Sequence, residues 1–152
     1  LMTSSVHVQT EIFRYESPLG SIALELQEDL CLRILLKEIK APECSPDHPA
    51  ALWLRAYFRG KRLPLPKVAP PRTPFQKRLR EALINIPAGK PYTYGELARL
   101  LNSAPQAVGQ ALGANPLPIL IPCHRVVAVN SLGGFAYGEA WKQKLLAWEA
   151  SV

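Results

Sequence analysis

The sequence lacks a long apolar run, and this absence argues against a membrane-spanning protein. No stretch reaches the ~18 apolar residues that a membrane-spanning helix needs, and no basic segment leads into an apolar run near the amino terminus. We therefore expect no membrane partner and a place in the cytosol of a bacterium or archaeon, or in the nucleus of a eukaryote. Met2 is predicted to be the natural start, because a lone Leu1 precedes it.

Cysteine is scarce as well. Cys31, Cys44 and Cys123 cannot all pair with one another, and no two of them have C-x-x-C spacing, so a disulfide framework is not expected. The candidate ligands for a zinc site are Cys31, Cys44, His48 and His7. Only Cys44 and His48 have ligand-like spacing, and the residues between them are typical of a turn. We expect no metal and no cofactor.

What the chain does have is enough apolar residues for a core and an excess of positive charge. Its 152 residues are 48% hydrophobic, which suits one compact unit or two small ones. Eighteen Lys and Arg against twelve Asp and Glu give a net charge of +6. This excess favours polyanionic partners, but it is too common among soluble proteins to identify one.

The first part of the chain predicts a small α+β domain over residues 1–66. Apolar and polar residues alternate from Thr10 to Leu36 around a turn at 17–20 and a second turn at 28–29, which indicates a three-stranded antiparallel meander. The helical spacing of apolar residues over 49–58 predicts a helix that packs on this sheet.

A proline-rich stretch separates this domain from a second one over residues 67–152. Five prolines between Leu63 and Pro74 predict a stiff, extended connection. Thr73 is a suitable N-cap for a helix that begins at Pro74 and stops by Pro87. The second domain is therefore expected to open with a helix.

Two short helices around a tight turn are predicted next. Thr93 is a candidate cap for a helix from Tyr94 to Leu101, and a second helix runs from Pro105 to Ala114. This pattern is typical of a DNA-binding helix-turn-helix, but also of an ordinary helical hairpin, and spacing alone does not separate the two.

The second of these helices has an outer surface of small, uncharged residues. Gly109 and Gly113 lie within one short helix, although glycine there costs about 1 kcal/mol relative to alanine. Something must come close to this backbone. Tight packing of another helix is one explanation, and insertion into the minor groove of DNA is the other.

The residues with the clearest chemistry follow a short apolar run over 116–121. This run predicts a buried extended segment that ends in Cys123, His124 and Arg125. A thiolate is a strong nucleophile, and neighbouring positive charge or a base lowers the thiol pKa. Because consecutive strand residues point in opposite directions, direct contact between Cys123 and His124 does not follow from their adjacency, and a bridging water is one way to connect them.

With these motifs the chain resembles the O6-alkylguanine-DNA alkyltransferase family. The resemblance extends over the second domain and, more loosely, into the first. Its segments are Pro122–Val126, Asn115–Pro116, Pro87–Lys90, Tyr92–Tyr94, Ala107–Gly109, Leu145–Glu149, Ser17–Gly20 and Tyr57–Gly60.

The resemblance implies a fold and a reaction. The fold is α+β, with an RNase H-like amino-terminal domain and a helical carboxy-terminal domain that binds the minor groove of double-stranded DNA. An O6-alkylguanine, and as a further candidate O4-alkylthymine, is flipped into a pocket. The alkyl group passes irreversibly to the protein, which acts once. We expect a monomer, and cooperative binding along DNA is left open.

The resemblance also assigns roles to single residues. Cys123 is the nucleophile, His124 its base through a water, and Glu149 the carboxylate that orients His124. Asn115 ties the second helix to the active-site segment, and Tyr94 helps to rotate the nucleotide and donates to the departing purine.

Further residues of this pattern form the pocket and the DNA surface. Pocket walls are assigned to Pro118, to Phe135 and to the backbone of Ala136 and Tyr137, and guanine recognition to the carbonyls of Cys123 and Val126. DNA contacts are assigned to Thr93, Tyr94, Gln106, Ala107, Gly109 and Arg125. Candidate phosphate contacts are Arg72, Lys77, Lys90, Arg99 and Arg125.

Two residues depart from the family pattern. Gln106 stands where the family usually has an arginine that fills the gap left by the flipped base, and Tyr137 stands where a small residue is usual. An alkyltransferase-like protein that binds lesions without repairing them is therefore an alternative, although such proteins lack the cysteine. A cysteine hydrolase is disfavoured, since no glycine loop for an oxyanion hole precedes Cys123.

Overall fold

The amino-terminal part of the structure is built on a three-stranded antiparallel sheet. The computed structural model describes residues 9–152, so Met2 and His7 lie outside the described residues. The strands occur in the order β1-β2-β3; they are β1 (Glu11–Ser17), β2 (Gly20–Gln27) and β3 (Leu30–Leu35). The predicted meander is therefore confirmed, with both of its turns.

One helix, α1 (Pro49–Tyr57), follows the sheet and begins at a histidine cap. His48 Nδ1 accepts from the Ala50 amide at 3.0 Å, and its Nε2 lies 2.7 Å from the Glu28 carbonyl. Both ring nitrogens are thus engaged in holding the helix start. Within residues 9–152, no three His, Cys, Asp or Glu side chains form a group that could hold a metal ion.

The chain divides into two compact units, the first ending at Ala69 and the second running from Pro70 to Val152. The predicted boundary after residue 66 lies just before this point. Residues 67–69 stay with the sheet because the Cys31 amide donates to the Lys67 carbonyl and the Ala69 amide donates to the Cys31 carbonyl, both at 2.9 Å.

The second unit is mainly helical. Its helices are α2 (Pro74–Ile84), α3 (Tyr94–Leu100), α4 (Pro105–Gly113) and α5 (Glu139–Ser151), and its two short parallel strands are β4 (Tyr92–Thr93) and β5 (Val126–Val127). The predicted caps are present: Thr73 accepts from Gln76, and Thr93 forms a capping box with Glu96. None of the described helices is both long and apolar enough to cross a membrane.

Candidate active site

A turn, rather than the predicted extended strand, delivers Cys123 to the site. The Ile121 amide donates to the Leu117 carbonyl at 2.9 Å, and Ile119 has a φ of +74°. Asn115 fixes this turn with its side chain, which donates to the Ile121 carbonyl at 2.9 Å and accepts from the Leu117 amide at 3.1 Å. Cys123 then begins a single turn of 3₁₀ helix. An apolar run alone does not distinguish these backbone paths.

The Cys123 thiol is buried, with 4% of the residue exposed. Burial raises its pKa to about 11, and this effect outweighs the Asn115 side chain and the positive charge of Lys142, which favour the thiolate. Neighbouring charge therefore favours the thiolate, as the sequence predicts, but burial outweighs it and the net shift of the pKa is upward. At neutral pH the thiol is protonated, and a base must remove its proton during attack.

A buried histidine next to this thiol is held by a carboxylate. His124 Nε2 lies 2.7 Å from Glu149 Oε2, and both side chains are almost fully buried. Burial lowers the pKa of His124, while its bond to Glu149 acts in the opposite sense. The neutral ring donates from Nε2, which leaves a basic Nδ1 that has no partner among the described residues. This atom can accept a proton.

Arg125 is engaged with the same carboxylate. Its Nε and Nη2 donate to the two oxygens of Glu149 at 2.8 Å each, and Nη1 donates to the Ile86 carbonyl at 2.7 Å. Burial raises the pKa of Glu149, but the bonds and charges of His124 and Arg125 prevail and lower it to about 2. In the structure Arg125 thus binds Glu149 and the Ile86 carbonyl, whereas the sequence predicts that it contacts a phosphate.

A cavity of about 550 Å³ opens above the thiol. Its lining includes Cys123, Tyr94, Phe135 and Ala136. The Tyr94 hydroxyl donates to the Gly134 carbonyl at 3.3 Å. The Tyr94 ring needs a glycine beside it, because a Cβ on Gly133 would lie 2.8 Å from the ring, and Gly133 also has a φ of +75°.

Two residues that the resemblance assigns to the pocket wall do not line the cavity. Pro118 is buried in the turn before Cys123. The Val126 carbonyl, which is assigned to guanine recognition, accepts from the Lys142 ammonium at 2.7 Å. Tyr137 does not line the cavity, because its hydroxyl is directed to the Asn115 carbonyl at 2.7 Å. The Tyr137 ring therefore does not narrow the cavity by pointing into it.

The outer surface of α4 forms the other wall of the cavity. Gln106 and Gly109 line it, and Ala107 is exposed on the same helix. A Cβ on Gly109 or Gly113 would meet nothing within 4 Å. Packing against another helix therefore does not explain these glycines. This favours the alternative that a partner outside the chain approaches the helix backbone. Thr93, which is predicted to contact DNA, uses its side chain to cap α3.

Lys142 is a part of the site that sequence reasoning missed. It is fully buried, and its ammonium donates to the Val126 carbonyl at 2.7 Å and to the Gly134 carbonyl at 3.0 Å. Burial lowers its pKa. A signal exists in its spacing, since Lys142, Leu145 and Glu149 share one buried face of α5.

Comparison with known proteins agrees with this arrangement. Residues 74–151 match the family model described as the DNA-binding domain of 6-O-methylguanine DNA methyltransferase. The methylated-DNA–protein-cysteine methyltransferase of Methanosarcina acetivorans is 37% identical over 150 residues, which cover 90% of this chain and 96% of that protein. The chain belongs to this methyltransferase family.

Other members of the family match different shares of the chain. The Methanocaldococcus jannaschii protein of the same name is 52% identical over 75 residues, which are 49% of this chain and only 45% of that protein. A structure of Mycobacterium tuberculosis OGT in complex with DNA is 32% identical, with a TM-score of 0.76 and coverage of 92% of this chain and 93% of that one. The family match at 74–151 contains Cys123, His124 and Glu149.

Proposed function

We propose that this protein repairs DNA by transferring a methyl or other alkyl group from O6 of guanine to the sulfur of Cys123. The observation that carries the proposal is a buried thiol in the lining of a cavity, followed directly by a histidine that a buried carboxylate holds. Membership in the methyltransferase family supports the same reaction.

The transfer needs a thiolate only at the moment of attack. His124 takes the thiol proton at Nδ1 through a water, while Glu149 and Arg125 keep the ring in place. The sulfur then forms a bond to the alkyl carbon as the bond from that carbon to O6 breaks. The electron pair leaves with the purine, and the Tyr94 hydroxyl, which lines the cavity, gives up its long bond to the Gly134 carbonyl and donates to the purine instead. The purine finally takes up the released proton.

A thioether is not hydrolysed under mild conditions, so one molecule repairs one lesion. The base must leave the duplex to reach a thiol at the bottom of a cavity, and extrusion costs a few kcal/mol. Gln106 stands at the exposed edge of that cavity, where it can enter the gap. The glycines of α4 allow the minor groove of double-stranded DNA to approach the helix backbone.

Charge on the second unit fits this partner. Residues 70–152 carry nine Lys and Arg against four Asp and Glu. Four candidate phosphate contacts are exposed, namely Arg72, Lys77, Lys90 and Arg99. We expect the protein to act as a monomer in the compartment that holds the DNA, the cytosol of a bacterium or archaeon or the nucleus of a eukaryote.

Mass spectrometry after incubation with a duplex that contains one O6-methylguanine tests the proposal. We expect a gain of one methyl group, which peptide mapping places on Cys123, together with an unmodified guanine in the DNA. An unmodified protein that still shifts this duplex in a gel would contradict transfer and would favour a lesion-binding protein without repair activity.

A further inference from the structure

A glutamine in the first turn of α2 is bonded to the end of α4. Thr73, the N-cap of α2, and Gln76 have the Thr-x-x-Gln spacing of a capping box, in which the glutamine side chain accepts from the amide of the cap. In α3, Glu96 makes this local bond to the Thr93 amide at 2.9 Å. The Gln76 side chain instead donates through Nε2 to the Ala111 carbonyl at 3.1 Å. It therefore serves a helix other than its own.

The Ala111 carbonyl lies in the last turn of α4, where the helical bonding pattern changes. In a continued α-helix the Asn115 amide would donate to this carbonyl. The Asn115 amide donates instead to the Leu112 carbonyl at 3.1 Å, and the Ala114 amide, 3.2 Å from Ala111, is shared with the preceding carbonyl. Ala111 is buried, so its carbonyl needs a protein partner. Gln76 supplies the donor that Asn115 would supply in a longer helix.

This early end of α4 leaves Asn115 available to the turn that delivers the nucleophile. The Asn115 side chain donates to the Ile121 carbonyl and accepts from the Leu117 amide, and both bonds hold the turn before Cys123. If α4 continued by one residue, the Asn115 amide would move towards the Ala111 carbonyl. Its side chain would then move away from both partners in the turn.

We infer that Gln76 is a positioning residue for the reaction at Cys123: its bond to the Ala111 carbonyl ends α4 before Asn115 and thereby places the thiol. This inference rests on the proposed function. Without the Gln76 donor, the Ala111 carbonyl would be left with one shared bond, and the Asn115 amide, its partner in a regular helix, can replace the missing donor. Gln76 does not line the cavity, so it acts through Asn115 and not on the substrate.

The variant Gln76→Glu separates this role from a contribution to stability. A carboxylate cannot donate to Ala111, but it can accept from the Thr73 amide and complete the capping box of α2, so the midpoint of urea unfolding should change little. The single-turnover rate of Cys123 alkylation should fall about tenfold, because a displaced nucleophile loses its alignment with the alkyl carbon. O6-methylguanine in a duplex and as a free base should be affected alike. Gln143→Glu makes the same change of charge at an exposed position of α5 and should leave both rates unchanged.

Hydrogen exchange gives a measurement that does not depend on alkyl transfer. The Leu117 amide, which donates to Asn115 Oδ1, should exchange faster in Gln76→Glu, and the Leu101 amide at the end of α3 serves as the internal reference. Equal acceleration of both amides would indicate a general loss of stability and would overturn the positioning role.

Unchanged alkylation rates in Gln76→Glu, or a loss confined to the duplex substrate, also overturn the positioning role, even if the unmodified protein transfers the methyl group normally. Absence of methyl transfer by the unmodified protein overturns the proposed function instead. Exchange of the Leu117 amide then still decides whether Gln76 holds the end of α4.

Discussion

The two units differ most in what they bury. Among residues 9–69 of the first unit the buried side chains are apolar, with Ile22, Leu24 and Ile34 fully enclosed. Asn115, His124, Lys142 and Glu149, the buried polar and charged residues of the described chain, all belong to the second unit. Burying an ionisable group costs free energy unless it is paired. The described part of the first unit therefore buries apolar groups, whereas the second unit buries ionisable groups that need partners.

The two units also differ in net charge. Up to residue 69 the chain has nine Lys and Arg against eight Asp and Glu, and from residue 70 onward nine against four. The positive excess is thus concentrated in the unit that holds the cavity. Positive charge beside a cavity raises the local concentration of a polyanion such as DNA.

The largest expected effect comes from the thiol that distinguishes the second unit. Cys123→Ala should abolish alkyl transfer and leave DNA affinity within about 1 kcal/mol, because the thiol supplies chemistry but little contact area. Mass spectrometry and a gel-shift titration measure the two quantities. Cys31 and Cys44 of the first unit serve as internal controls, and alkylation of either in this variant would show that the nucleophile is misassigned.

Removing the buried ammonium should cost the most stability. Lys142→Met leaves the Val126 and Gly134 carbonyls without their charged donor, and we expect a loss of about 3 to 4 kcal/mol in the free energy of unfolding. Urea unfolding in a Trp53→Phe background reports the second unit through Trp141 and Trp148. Lys144→Met, at an exposed position of the same helix, is the matched control. Equal stability of the two variants would contradict this role.

Acid should destabilise the second unit through Glu149. Its folded pKa of about 2 lies below the ordinary ~4.3, so its contribution is fully present above about pH 5 and is lost as the pH falls towards 2. The loss amounts to roughly 3 kcal/mol. Glu149→Gln should show a shallower decline over this range in the same unfolding assay. Parallel pH profiles of the two proteins would disprove the assignment.

Local signals in the sequence explain which elements could be predicted. Thr73 and Thr93 are caps whose partners lie three residues away, and the turns of the meander are equally local. The path to Cys123 depends instead on Asn115, whose side chain selects a turn for an apolar run that fits a strand as well. Long-range bonds of this kind leave no periodic pattern.

The same reason applies to the electrostatics of the site. Two neighbouring basic residues suggest a lowered thiol pKa, but burial of Cys123 dominates and can only be seen once the chain is folded. The direction of the Tyr137 hydroxyl and the burial of Lys142 likewise follow from packing. The identities of the nucleophile, base and carboxylate came from a resemblance, and their roles remain proposals.

Substitution of Gln106 by arginine is expected to increase the rate of the proposed repair reaction. Gln106→Arg adds a planar, charged group at the edge of the cavity and should stabilise the extruded state by ~1–3 kcal/mol. Single-turnover repair of duplex DNA should become faster, while reaction with a free-base analogue should not change. Gln110→Arg adds the same charge to an exposed position of α4 that does not line the cavity. If both variants or both substrates respond alike, Gln106 does not enter the duplex.

The smallest expected effect concerns Gly109. Its substitution is expected to change the free energy of unfolding and the affinity for DNA in opposite directions. A Cβ at this position would meet no atom within 4 Å, and the backbone is helical, so Gly109→Ala should raise the free energy of unfolding by about 0.5–1 kcal/mol. The added methyl group lies where the minor groove is proposed to approach, so DNA affinity should fall while reaction with a free-base analogue stays the same. A loss of stability would mean that the glycine serves packing within the chain. A gain in stability with unchanged DNA affinity would mean that α4 meets DNA through another face, and the proposed docking would have to be rebuilt around a different surface of the second unit.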